Sequence, residues 1–254
     1  MSTDEEEALL KQARAGAAEP LLKAWEPKIY RFGLRMCGDE DSAREVLQET
    51  LLAAFRGLHQ FRGEAALSTW LYTLARSFCI RQRRTRTTDP LGADDHEDEA
   101  PRPDSVAHAR ELGLVLQAAL LSLSDDYREV VVLKDVEGLS AEEIARVLKE
   151  DVAAVKSRLH RARSELRERL RAVLEPSGPA QGCPGLIEQI AAFAGGEIDH
   201  PACLAIEAHL ERCPKCSAAC DALKRTVSLC KQLPGGEVPA SIRAAVRRAL
   251  SQQA

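Results

Sequence analysis

Apolar residues recur along this chain at helical spacing, and no run of useful length alternates with the two-residue period of a strand. The clearest set is Leu112, Val115, Leu116, Ala119, Leu120 and Leu123, which steps i, i+3, i+4, i+7, i+8, i+11 and so lines one helix face. Only 4% of the residues are aromatic, so any core must be built from Leu, Val, Ile and Ala. That composition favours helices over sheets. The expected fold class is all-α. With 254 residues, two or three small domains are a better expectation than one core.

Two stretches without periodicity divide the chain. Residues 87–107 contain Pro90, Pro101, Pro103 and an acidic run, and residues 175–182 read EPSGPAQG. Such compositions make solvated linkers rather than packed elements. The expected organisation is a helical domain over 1–86, an acidic flexible linker over 87–107, a second helical domain over 108–174, a linker over 175–182, and a cysteine-rich domain over 183–254. In the first domain Thr3 and Glu6 make a capping box. Helices are expected over about 19–36 and 41–57, with Gly38-Asp39 breaking between them. Ser68 is expected to cap a fourth helix carrying Trp70, Leu71, Leu74, Ala75 and Phe78. In the second domain Ser124 starts a helix stopped at Gly138. Ser140 and Glu143 form another capping box, and Asp151 caps a long last helix.

The net charge is only −4, but it is segregated. Residues 76–86 hold five arginines and no acid, residues 89–104 hold seven acids against Arg102, and residues 152–171 hold seven Lys/Arg against Glu165 and Glu168. Concentrated basic stretches suit a nucleic-acid binder, and solvated helix faces give the same counts. No apolar run reaches the roughly 18 residues of a membrane span. The N-terminus MSTDEEEALL lacks a signal peptide's basic and apolar regions. A cytoplasmic protein with no membrane partner is expected. Thiols stay reduced in that compartment, so the six cysteines over 183–254 read as metal ligands or redox sensors. Cys37 and Cys79, in apolar helical surroundings, read as small core residues.

Residues 139–163 read as helix, short turn, helix. In the second helix Val155, Leu159, Ala162 and Leu166 form the buried stripe, leaving Lys156, Ser157, His160, Arg161 and Ser164 largely on the other side. A helix-turn-helix places such a helix in the major groove, where Arg and Lys donate to guanine or phosphate. An ordinary helical hairpin with basic solvated residues stays open on the pattern alone. The segment LSAEEIARVLKEDVAAVKSRLHRARSELR closely resembles region 4 of extracytoplasmic-function (ECF) sigma factors, which read L-S-x-E-E-I-A-x-x-L-G-I-P-x-G-T-V-K-S-R-L-H-R-A-R. It departs in the turn, with Lys149-Glu150-Asp151 where the family favours Gly-Ile-Pro. The resemblance implies that the second helix contacts the promoter −35 element, through Lys156, Ser157, Arg158, His160, Arg161 and Arg163.

The N-terminal half resembles region 2 of the same family. Asp41, Ala43, Gln48, Glu49, Phe61, Arg62, Gly63, Trp70, Leu71, Ala75 and Arg76 sit at matching positions, with Arg44 and Leu51 replacing the usual acid and aromatic. By that resemblance Asp41, Gln48 and Glu49 dock on core RNA polymerase. Phe61 and Arg62 of the loop, with Arg76, Arg81, Arg83 and Arg84 of the basic helix, capture unpaired −10 bases. For Trp70, core packing is the simpler reading. The implied partners are core RNA polymerase and promoter DNA. No catalytic residue and no small-molecule substrate are expected, since polymerase performs the phosphoryl transfer.

The run HLERCPKCSAAC carries His209, Cys213, Cys216 and Cys220, whose i, i+4 pairs on two helices separated by Pro214 bring donors toward one point. It resembles the zinc-binding domain of anti-sigma factors, marked by H-x3-C-x2-C with an upstream Cys or His. The resemblance adds Cys183 to His209, Cys213 and Cys216 as a His/Cys3 set suited to tetrahedral zinc. Cys203, Cys220 and Cys230 exceed that pattern, and Cys203 and Cys220 are further metal candidates. A sigma factor with a fused cysteine-rich tail is similar to the CorE-like, metal-responsive group, which implies metal ions as regulatory partners, with zinc the expected cofactor and cadmium or copper as sensed alternatives. A thiol redox switch, a purely structural zinc site and a partner-docking module remain open for the tail.

Overall fold

The computed structural model of the chain describes residues 3–63, 65–88, 104–174, 183, 186–194, 200–232 and 238–251. Among these residues all regular structure is helical, with twelve α-helices. They are α1 (Thr3–Arg14), α2 (Glu19–Cys37), α3 (Glu40–Gly57), α4 (Leu67–Thr88), α5 (Asp104–Leu121), α6 (Asp125–Val131), α7 (Ala141–Leu148), α8 (Val152–Leu174), α9 (Ile187–Ala194), α10 (His200–Leu210), α11 (Pro214–Gln232) and α12 (Ala240–Ser251). The acidic run over 89–103 and the linker over 175–182 lie outside the described residues. Helices α4 and α5 occupy both margins of the stretch expected as linker over 87–107.

The packing divides the chain into two compact units. The first is Met1–Ala100 together with Pro234–Ala254. Here α2, α3 and α4 pack on one another, α1 packs on α2, and α12 packs on α3. Helix α2 ends where Gly38 adopts φ 90°, and the Asp39 carboxylate caps α3 by accepting from the Ser42 amide at 2.8 Å. The hairpin closes tightly because of Gly33: a Cβ there would stand 3.0 Å from the Ala43 Cα. Four of the ten aromatic residues are buried in the packing of α2, α3 and α4. Trp25, Tyr30, Phe32 and Tyr72 are fully buried, and Tyr72 meets Trp25 edge-on at 5.7 Å and Phe32 at 5.5 Å. Helix α4 opens at Leu67, so Ser68 lies inside its first turn rather than capping it.

The second unit is Pro101–Leu233. Its core is Val130–Leu133, Ile144, Val147 and Leu148 against Val155, Leu159, Ala162, Leu166 and Leu170. The helix expected to run from Ser124 to Gly138 changes character midway, α6 giving way to a π-helical turn, Val132–Val136. Helices α9 and α11 both pack on α8, and α11 packs also on the π-helical turn. The cysteine-rich segment up to Leu233 therefore shares a compact unit with the helix-turn-helix.

Candidate nucleic-acid interface and metal centre

The helix pair α7–α8 is fixed by its ends. The Ser140 hydroxyl accepts from the Glu143 amide at 3.1 Å, and the Ser140 amide donates to the Glu143 carboxylate at 2.8 Å, a complete capping box. Asp151 caps α8, accepting from the Ala154 amide at 2.8 Å. Between them Lys149 takes φ 60°, ψ 46° and closes α7 in the left-handed conformation, its amide donating to the Ala145 carbonyl. It is the single non-glycine residue with positive φ among those described. Glycine would reach that conformation without a Cβ penalty.

Along α8, Lys156 and Arg161 are exposed, and Ser157, Arg158 and His160 are half-buried. Arg161 donates to the Ser157 hydroxyl at 3.0 Å, and Arg158 pairs with Glu150 at 2.7 Å. Arg163 departs from the expectation made for it. It is 2% exposed and donates from Nε and Nη2 to the two oxygens of Asp135, itself 2% exposed. A guanidinium held in that way is not offered to DNA. It lies one residue from Ala162 on the buried stripe, and the acid that receives it is 28 residues earlier, which motif spacing could not reveal.

In the first unit Asp41 is exposed on α3 and pairs with Arg44 at 2.8 Å, while Gln48 and Glu49 are half-buried. Glu49 receives Arg81 at 3.4 Å, and Arg81 lies over the Phe78 ring at 4.7 Å. Arg76 and Arg83 are half-buried, and Arg84 is exposed. Phe61 stacks on Trp70 at 5.1 Å, so Trp70 is a half-buried partner of the loop rather than a core residue. Arg62 is exposed. No motif or spacing pointed to Arg14. Its Nη2 donates to the Phe61 carbonyl at 2.6 Å and its guanidinium lies 5.9 Å from the ring centroid. With Leu10, Arg62 and Leu67 these groups line an open cleft of about 540 Å³.

The tail brings four donors together: the ligand atoms of Cys183, His209, Cys213 and Cys216 all lie within 4.8 Å of one another. Pro214 opens α11, so His209 at the end of α10 and Cys216 in the first turn of α11 flank Cys213 in the break. Beneath them lies a small core of Ile190, Ile206, Cys216, Cys220 and Leu223. The donor set fits a metal on two observations. The Cys183 and Cys213 sulfurs are 3.8 Å apart, the separation that tetrahedral zinc with Zn–S of about 2.3 Å requires. The His209 Nε2 atom is buried without a hydrogen-bond partner. Hydrogen bonding to Cys216 and then Cys213 pushes the Cys183 thiol up to about 11, whereas the Cys216 amide holds the Cys213 thiol below its ordinary value. One thiolate is thus favoured first in the cluster.

Cys203 and Cys220 are not brought to this point. The Cys203 thiol is 3.7 Å from the Glu207 carboxylate, and Cys220 is buried in the tail core. Cys220 follows Cys216 by one helical turn, which carries it along α11 into apolar packing; shared helix face alone did not bring it to the cluster.

With that geometry in view, comparison with known proteins is specific. Residues 21–88 match the Sigma-70 region 2 family, residues 113–166 match Sigma-70, region 4, and residues 183–217 match a zinc-finger family. The ECF RNA polymerase sigma factor SigE of Mycolicibacterium smegmatis is 33% identical over 164 residues, covering 63% of this chain and 63% of that protein. The chain thus spans under two thirds of that relative's length. SigW of Bacillus subtilis, also an ECF RNA polymerase sigma factor, is 32% identical over 177 residues, covering 64% of this chain and 95% of that protein. A solved structure of the sigma factor RpoE with the anti-sigma factor NepR from Bartonella quintana is 26% identical, covering 60% of this chain and 96% of that one, with a TM-score of 0.49. The chain belongs to the ECF sigma factor family and carries an anti-sigma-like zinc-finger segment at its C-terminal end. As a member of that family it is a factor for promoter-specific transcription initiation rather than an enzyme.

Proposed function

We propose that this sigma factor is regulated by metal binding to its own tail. In this reading α3 docks on core RNA polymerase through Asp41, Gln48 and Glu49. The Phe61–Arg62 loop and the arginines of α4 take the unpaired −10 strand, and α8 reads the −35 element with Lys156, Ser157, Arg158, His160 and Arg161. Arginines and lysines of this kind act chiefly on phosphates.

The observation that carries the regulatory reading is the four-donor cluster, Cys183, His209, Cys213 and Cys216, at the junction of α10 and α11. It sits in a segment whose helices α9 and α11 pack on α8. Zinc bound there would fix the α10–α11 corner, and metal binding to a small domain is coupled to its folding. Loss or exchange of the metal then alters what lies against the DNA-reading helix. Thiolates also accept cadmium and cuprous copper. The redox alternative gains no support from Cys203, whose thiol burial and Glu207 push up, away from the reactive thiolate. Among the described residues no helix is long and apolar enough to cross a membrane.

The test is run-off transcription from sheared genomic DNA with core polymerase, with and without the full chain. New promoter-specific transcripts whose yield depends on zinc support the proposal. Transcripts identical in zinc, cadmium, copper and chelator leave a sigma factor without metal control.

A further inference from the structure

Arg14 is the last residue of α1 and precedes residues 21–88, the stretch that matches Sigma-70 region 2. Its place is fixed. The neighbouring Ala13 is buried, and Gly16 turns the chain out of the helix at φ 102°. From there the exposed guanidinium reaches the Phe61 carbonyl at 2.6 Å, across 47 residues. A charged donor makes one of the stronger hydrogen bonds to a carbonyl. The acceptor belongs to the peptide between Phe61 and Arg62. That unit is planar, so holding its oxygen restrains the direction in which the chain enters Arg62. Gly63, at φ 77°, then turns the loop.

The rest of Phe61 is held by other elements. Its ring lies 5.1 Å from that of Trp70 on α4. Trp70 is itself seated against the end of α3, where a Cβ on Gly57 would stand 3.0 Å from the indole. The Phe61 amide donates to the Leu58 carbonyl at 3.2 Å, closing the short helical turn Leu58–Gln60. Ring, amide and carbonyl of one residue thus have partners on three elements. Two of these are near in sequence, and Arg14 is the distant one. The open cleft beside the loop has Leu10, Lys11 and Arg14 of α1 on one wall and Phe61, Arg62 and Leu67 opposite.

We infer that Arg14 is a positioning residue for the −10 strand: from α1 it fixes the Phe61–Arg62 peptide in the shape that receives unpaired bases, and it acts through the loop rather than on DNA. The inference rests on the −10 role given to that loop. It brings α1 into promoter opening. Lysine does not replace Arg14, because an ammonium on a flexible stem lacks the planar fork that meets the carbonyl while lying 5.9 Å from the ring centroid.

The experiment combines the zinc-loaded full chain with core RNA polymerase on a promoter fragment recovered from the run-off transcripts. Fluorescence of 2-aminopurine placed in the −10 segment follows strand opening. Arg14→Ala and Arg14→Lys are compared with the wild type and with Phe61→Ala, and circular dichroism reports whether the helices persist. Both Arg14 forms are expected to bind the closed promoter as the wild type does and to open it about fivefold more slowly, the scale of one lost charge-assisted hydrogen bond. Their salt dependence is expected to stay unchanged. Acrylamide quenching of the free chain reads the loop directly. Trp25 is buried, so half-buried Trp70 dominates the signal, and its quenching rises when the Phe61 ring leaves it. Opening at the wild-type rate by both Arg14 forms, with Phe61→Ala slow, would overturn the inference and leave the loop's role standing. Slower opening with Trp70 quenching unchanged and the salt slope reduced by about 1 would overturn it too, by making Arg14 a phosphate contact. If Phe61→Ala opens DNA as the wild type does, the −10 role of the loop fails and the inference falls with it.

Discussion

Arg163 on α8 grips Asp135 in the π-helical turn with two hydrogen bonds, Nε to Oδ2 at 2.9 Å and Nη2 to Oδ1 at 2.6 Å, and both side chains are almost wholly enclosed. The pair ties α8 to the element before it at the point where α6 gives way to the π-helical turn. Neither charge can reach water when its partner is removed. Arg163→Ala should therefore cost about 3–5 kcal/mol of stability in the helix-turn-helix unit. Denaturant unfolding of the full chain measures it. A loss below about 1 kcal/mol, with weakened DNA binding instead, would return Arg163 to the DNA surface.

Lys149 ends α7 with φ 60°. A side chain in that conformation costs roughly 1–2 kcal/mol, partly offset by the greater freedom glycine has in the unfolded chain. Lys149→Gly is expected to stabilise the same unit by about 0.5–1 kcal/mol, read as a higher denaturant midpoint at unchanged slope. A lower midpoint would mean that the lysine side chain has a favourable contact outweighing the strain.

Lys156 and Arg161 are exposed on α8. Replacing either by Ala should weaken promoter binding and reduce the slope of log affinity against log salt by about 1. Fluorescence anisotropy at several salt concentrations gives both numbers. An unchanged slope in both variants would place these residues away from the phosphates.

At the tail, Cys213→Ser and His209→Ala should each lower zinc affinity at least a hundredfold, because each removes one of four donors. Cys203→Ser and Cys220→Ala should bind zinc as the wild type does, since neither thiol belongs to the cluster. Competition with a chromophoric chelator, together with the visible spectrum of the cobalt-substituted protein, distinguishes four-coordinate sulfur and nitrogen ligation. Loss of affinity in Cys220→Ala with the spectrum altered would put that thiol back among the ligands.

Local features were legible in the sequence where the chemistry is local. The Ser140–Glu143 capping box, the Asp151 cap, the Gly38-Asp39 break and the opening of α11 at Pro214 all depend on neighbours within four residues. Contacts between distant segments were not legible. Arg163 sits in a basic run that reads as DNA-facing, yet its partner is Asp135. Cys183 and Cys213 are 30 residues apart, and the family resemblance rather than the spacing joined them. The packing of α12 on α3 joins segments that no periodicity links. Arg14 holds the Phe61 loop across 47 residues for the same reason.

The central claim is a sigma factor whose polymerase engagement responds to metal in its own tail. The most direct measurement is the affinity of the full chain for purified bacterial core RNA polymerase, metal-stripped and then with zinc, cadmium or copper, beside the Cys213→Ser form. The account predicts binding that changes several-fold with one metal in the wild type and does not change in Cys213→Ser. No binding under any condition would contradict the sigma assignment, and equal binding under all of them would contradict metal control of assembly.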